Sequence, residues 1–213
     1  VSELKTEEEQ IEAFKTWWKK NGIMLILAIA VAGGGYFGWQ AWKTSQANYT
    51  SEASALYQNL IQAAVDLSKE ENQKTVTFIA NQLTEDYSDT GYAMFSQLFL
   101  ARVDAEQGNY NDAISALDSV IAKTEDASFV AIANLRVARL LIQQEDFTAA
   151  MARIEAVSEN EFLAQKQELM GDILLSQGDR DGARVAYEKA NEALGAGVTH
   201  PLLGIKLKDL VKG

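Results

Sequence analysis

Residues 23–42, IMLILAIAVAGGGYFGWQAW, carry no charged side chain in twenty positions. A helix of that length rises about 30 Å, the thickness of a bilayer's hydrocarbon core. It satisfies its own backbone polar groups, so it needs no water along its length. Trp17, Trp18, Lys19 and Lys20 precede the run, and Tyr36, Trp39, Trp42 and Lys43 close it; aromatic and basic residues in these places anchor a helix at the two membrane surfaces. The run therefore predicts a transmembrane helix. A cleaved signal peptide ending near Ala30-Val31-Ala32 is the competing reading, opposed by the long acidic segment ahead of it and by the apolar residues that continue past the cut. A buried core helix fits less well, because such helices rarely lack charge over this length.

Orientation follows from Lys and Arg near the two ends, since these resist translocation. Lys5, Lys15, Lys19 and Lys20 stand before the span, and Lys43 alone in the twenty residues after it. The expectation is an N-terminus in the cytoplasm and everything beyond Lys43 across the membrane. Four of the 19 basic and five of the 30 acidic residues precede the span, so 15 face 25 beyond it, a net charge of −10. Such a domain repels nucleic acid and anionic headgroups. With no cysteine and one histidine, disulfides and thiolate chemistry are excluded and a zinc site is disfavoured.

The chain divides into a cytoplasmic amphipathic tail (1–22), the transmembrane helix (23–42) and an all-α domain (43–213). In the tail, Ile11, Phe14, Trp17 and Trp18 recur at helical spacing, as in a short amphipathic helix at the interface. No Gly or Pro follows Trp42 until Gly91, so the membrane helix is free to continue outward. Ala53, Leu56, Tyr57, Leu60, Ile61, Ala64 and Leu67 form one apolar stripe, and Val76, Ile79, Ala80 and Leu83 mark a second helix. Together they make a helical hairpin over 45–86.

Beyond it the sequence repeats. Ala101 and Ala113, Ala138 and Ala150, and Gly171 and Ala183 are pairs of small residues twelve apart, and successive pairs lie 37 and 33 residues on. Between the members of each pair comes a turn: Gly108-Asn109-Tyr110, Glu145-Asp146-Phe147 and Gly178-Asp179-Arg180. Small residues on two antiparallel helices let the backbones approach, which is the tetratricopeptide pattern. Leu100, Val137 and Met170 in the first helices, and Leu117, Ile154 and Tyr187 in the second, supply the larger apolar positions. The aromatic residue usual near the start of the first helix is replaced by Gln97, Asn134 and Gln167, so the repeats, at 92–124, 128–160 and 161–194, are divergent. A capping helix at 199–213 closes the array, with Thr199 as N-cap, Pro201 in the first turn, and Lys206, Lys208 and Lys212 suited to a helix C-terminus. The fold class is thus all-α: one membrane helix followed by an α-solenoid of helical hairpins.

No phosphate loop, nucleophile elbow or metal-ligand cluster occurs. Gly33-Gly34-Gly35 lies inside the span, and His200 at a helix start has no catalytic partner. The sequence predicts no enzyme and no cofactor. Two surfaces are candidates for interaction. Ala30, Gly34 and Gly38, four apart, line one face of the span, where small residues permit close helix packing. Leu98, Arg102, Leu135, Arg139, Ile142 and Leu175 take the repeat positions that face a groove, with Arg102 and Arg139 equivalent. Two guanidiniums there suit carboxylates or backbone carbonyls of a partner. Local pairing with acids such as Glu106 is the commoner behaviour of exposed arginines.

Taken together, EEEQIEAFKTWWKKNG, the span's closing GWQAW, SEASALYQNLIQAAV, LRVARL and QGDRDGARVAYEKA resemble the YfgM family, ancillary subunits of the bacterial Sec translocon. The resemblance implies a single-pass inner-membrane protein with its tetratricopeptide domain in the periplasm. It also implies association with SecYEG and with a PpiD-like membrane-anchored chaperone, beside newly translocated chains. It brings no catalytic residues. A membrane-tethered scaffold for cell-envelope or division enzymes is the alternative with the same architecture.

Overall fold

The computed structural model describes residues 7–211 apart from positions 159, 196, 197 and 199. Lys5, Thr199 and Lys212, to which the sequence assigns an orienting charge, an N-cap and a C-terminal charge, lie outside the described residues. Among those described, every regular element is helical. They are α1 (Glu7–Ala64), α2 (Glu70–Asp86), α3 (Gly91–Glu106), α4 (Tyr110–Lys123), α5 (Ala127–Gln143), α6 (Phe147–Glu155), α7 (Leu163–Ser176), α8 (Arg180–Ala193) and α9 (Pro201–Val211), with a 3-10 turn at Asn160–Phe162. The chain forms two compact units, divided between Glu52 and Ala53.

In the first unit α1 carries no charged side chain over 23–42, and its apolar side chains there, Ile23, Met24, Ile26, Leu27 and Val31 among them, are exposed. A helix that shows apolar side chains all round has to be buried in something. Among the described residues, α1 alone is long and apolar enough to cross a membrane. One expectation is corrected here. The tail is not a separate short helix, because α1 runs without interruption from Glu7 into the span. The only weak helix formers at the junction, Asn21 and Gly22, are held in it. Asn21 Nδ2 donates to the Trp17 carbonyl at 3.1 Å, and the Trp18 indole covers Gly22. Glu7, Glu8 and Glu9 in the first turn favour the positive end of the helix dipole.

In the second unit α1 continues to Ala64, as the absence of helix breakers after Trp42 predicts. Ala53, Leu60, Ala64 and Leu67 bury against Val76, Ile79, Ala80, Leu83 and Val103. Above this core the Tyr57 ring meets Phe95 at a centroid distance of 6.2 Å, and Phe95 meets Phe129 at 5.3 Å, tying α1, α3 and α5 together at one end. These rings sit at other positions than the usual repeat aromatic. At that usual position Gln97 and Asn134 are buried, with Gln97 Nε2 donating to Thr84 Oγ1 at 2.6 Å and Asn134 Nδ2 to the Val130 carbonyl at 3.0 Å.

The three later hairpins, α3–α4, α5–α6 and α7–α8, share one turn. The residue that leaves each first helix is left-handed: Gly108 at φ 79°, Glu145 at φ 60° and Gly178 at φ 85°. The next residue opens the second helix, where Asp146 and Asp179 accept from the amides of Ala149 and Gly182, satisfying donors that a helix start leaves unpaired. Glu145 is the only described non-glycine residue with positive φ, and a Cβ is strained there. Glu145→Gly is therefore expected to stabilise the protein by about 0.5–1 kcal/mol, the relief of strain being offset in part by unfolded-state entropy. Chemical denaturation of the two proteins checks this; an unchanged or lower midpoint contradicts it.

Candidate interaction site

The sequence singles out Arg102 and Arg139 by repeat equivalence, and the fold brings them to one cleft. A hollow of about 320 Å³ between α3 and α5 is lined by Leu98, Ala101, Arg102, Ala105, Leu117, Arg136, Arg139 and Leu140. It opens where α3 and α5, joined at one end by Phe95 and Phe129, each pack mainly on α4, whereas α5 also packs on α7. Its floor is apolar carbon and its charged groups are three guanidiniums. Arg102 Nε pairs with Glu106 at 3.0 Å, an i,i+4 contact with both side chains more than one-third exposed; such a pair contributes only about 0–1 kcal/mol. Neither Arg136 nor Arg139 makes an ion pair among the described residues. Partial burial, and then the like charges of Arg139 and Arg102, push the Arg136 guanidinium below its ordinary value. Three cations face one another in a domain with a large excess of acid.

Ile142 lies one step along, in a second cleft where Arg139, Leu140, Ile142 and Gln143 face Glu168, Asp172, His200 and Lys206. Leu135 is a correction: it is 4% exposed and belongs to the core with Ala138, Ile154, Leu169 and Ile173, because α7 closes over its face of α5. Leu175, near the end of α7, is exposed and lines neither cleft. On α1, an added Cβ at Gly34 or Gly38 meets nothing within 4 Å, and Ala30 is exposed. Nothing in the structure shows what covers that face.

Sequence reasoning missed Arg136, which stands outside the repeat equivalence. The signal was the run LRVAR, since arginines three apart share a helix face. It also missed the work of Lys206, expected to act on a helix dipole. Its ammonium instead lies between Asp172 Oδ1 at 2.6 Å and Glu168 Oε1 at 2.8 Å, joining α9 to α7. Burial opposes the Lys206 charge, but the hydrogen bonds to Asp172 and Glu168 outweigh it and raise the amine above its ordinary value. Tyr187 donates its hydroxyl to Asp172 at 2.7 Å, and burial first, then that bond, raises the phenol well above the usual range. His200 Nδ1 accepts from the Leu203 amide at 3.1 Å, so the histidine caps α9. No described group of three or more His, Cys, Asp or Glu side chains has the arrangement of a metal site.

Packed hairpins with small-residue contacts, left-handed exits and an apolar cleft between first helices define a tetratricopeptide-like protein. The family model for the tetratricopeptide repeat-like domain matches residues 15–212. Among curated proteins, the "Ancillary SecYEG translocon subunit" of Haemophilus influenzae is 30% identical over 204 residues, covering 96% of this chain and 97% of that protein. Proteins of the same description are 29% identical in Escherichia coli, over 85% of each chain, and 26% identical in Neisseria gonorrhoeae, over 96% of this chain and 97% of the relative. The chain belongs to this family of ancillary SecYEG translocon subunits, the YfgM family.

Proposed function

We propose that the chain is a non-enzymatic, single-pass inner-membrane subunit that associates with SecYEG and with a PpiD-like membrane-anchored chaperone, assisting newly translocated proteins. One observation carries this reading. The correspondence with the Haemophilus protein covers the apolar helix and the helical domain together, across 96% of the chain, so anchor and domain are matched as a unit. The proposed division is a cytoplasmic tail over 1–22, a span over 23–42 and a periplasmic domain over 43–213. Lys15, Lys19 and Lys20 before the span against Lys43 after it support this orientation. The domain contributes a docking surface that includes the cleft between α3 and α5, with its apolar floor and three guanidiniums.

Crosslinking in native membranes, with mass spectrometry of the adducts, tests the association. The expected adducts are channel subunits and a prolyl-isomerase-like chaperone. Recovery of cell-envelope or division enzymes in their place would support the scaffold alternative and defeat the proposal. Protease added to intact spheroplasts is expected to remove the domain beyond Lys43. Digestion only in inverted vesicles defeats the orientation.

A further inference from the structure

The cleft between α3 and α5 combines an apolar floor with three guanidiniums, two of which have no described ion-pair partner. Beyond the span, acidic residues exceed basic ones by 25 to 15. Arginines in such a domain ordinarily have acids within reach. Here Arg136 and Arg139 are set beside each other and beside Arg102, and the acids that Arg139 shares a neighbouring cleft with, Glu168 and Asp172, are paired with Lys206; a partner that supplies negative charge relieves the mutual repulsion.

The shape of the charge distribution selects the partner. A polyanion such as nucleic acid, or an anionic bilayer, meets the repulsion of the whole domain. A short segment with one or two acids feels mainly the local cations, because charges beyond about 8–10 Å are screened at physiological ionic strength. The Leu98, Ala105 and Leu140 surfaces call for an apolar group next to the acid, a combination that polypeptide supplies and a free phosphate lacks. Guanidinium forks bind carboxylates through paired N–H donors, which adds directional preference. Arg102 joins by exchanging its exposed bond to Glu106 at small cost.

We propose that this cleft binds a polypeptide segment of a partner chain that sets one or two carboxylates against Arg136 and Arg139 and an adjacent apolar side chain against Leu98, Ala105 and Leu140. The assignment rests on the reading of the domain as a docking surface and names what that surface selects. It discriminates against basic and purely polar segments.

The test uses the full chain in detergent micelles and three fluorescein-labelled probes: a peptide of alternating glutamate and leucine, its glutamine-leucine counterpart, and a single-stranded oligonucleotide. Fluorescence anisotropy is expected to show saturable binding of the acidic peptide, weakening as salt rises. The glutamine peptide is expected to bind at least about tenfold less tightly, the effect of losing charge-assisted bonds. Arg136→Gln with Arg139→Gln is expected to abolish the difference between the peptides, and Arg136→Lys with Arg139→Lys to keep part of it. Both side chains lie at the surface and outside the core clusters, and circular dichroism checks that the fold is retained. Equal binding of the two peptides, no saturable binding of the acidic one, undiminished binding by the glutamine variant, or tighter binding of the oligonucleotide overturns the proposal. Crosslinking of the same proteins in membranes separates the two readings. Undiminished peptide binding by the variant defeats the cleft and leaves translocon association standing, while wild-type chain that gives no translocon adducts defeats the association and leaves the peptide result standing.

Discussion

Gly171→Ala is expected to destabilise the domain by about 2 kcal/mol, although alanine is the better helix former by about 1 kcal/mol. A Cβ at position 171 lands on the Tyr187 ring. That ring has nowhere to go: Tyr187 is fully buried with Ala183, Ala190 and Leu203, and its hydroxyl is fixed on Asp172. Overpacking of this kind ordinarily costs about 1–3 kcal/mol. The two earlier hairpins show the compensating arrangement, since Ala101 and Ala138 stand where Gly171 does, and Leu117 and Ile154 stand where Tyr187 does. The third hairpin has exchanged a methyl group on α7 for a larger ring on α8. Gly171→Ala with Tyr187→Leu should therefore be more stable than the sum of the two single changes implies, a coupling a double-mutant cycle measures. Equal loss in the presence and absence of Tyr187→Leu rules out this pairing as the reason for the glycine.

That example marks where sequence reasoning reached and where it stopped. The small-residue pairs and the turns between them were legible because they recur, and recurrence exposes a constraint that no single position shows. The long apolar helix in α1 was legible because absence of charge over twenty residues has few physical explanations. The uninterrupted passage from Glu7 into that run was not, because Asn21 and Gly22 are weak helix formers, and only the structure shows the Asn21 side chain bonded back to the Trp17 carbonyl and the Trp18 ring lying over Gly22. Of the six groove positions, Leu98, Arg102, Arg139 and Ile142 reach a cleft while Leu135 is buried. Equivalence in sequence fixes which face of a helix a residue is on, but the distance to the next hairpin decides whether that face stays open. Arg136 escaped the equivalence argument because its counterpart in the preceding repeat, 37 positions earlier, is Phe99 and not an arginine.

Lys206→Met is expected to cost about 2–3 kcal/mol, somewhat less than removal of one partner from a fully buried ion pair. The ammonium is the cation between Glu168 and Asp172, and the three side chains are only 21%, 12% and 25% exposed. Without it two carboxylates face each other on α7, and α9 keeps little hold on that helix beyond Leu203 and its neighbours. Adding Glu168→Gln removes one of the facing charges and should recover part of the loss. The pH dependence has a definite sign. The amine of Lys206 titrates higher in the folded chain than its ordinary value of about 10.4. Its contribution is thus complete below that pH and is lost as pH rises through the raised folded value. The Tyr187 phenol is raised as well, so its contribution is lost in the same direction above about pH 10. Wild-type stability should therefore fall as pH climbs past about 10, and Lys206→Met should show a shallower fall because the lysine's share of it is gone. Melting curves between neutral and strongly alkaline pH measure the slope, and backbone hydrogen exchange at neutral pH should show α9 opening first in the variant. A variant that melts with the wild type at neutral pH, or that keeps the full alkaline slope, would show that the ammonium does not hold α9 in place.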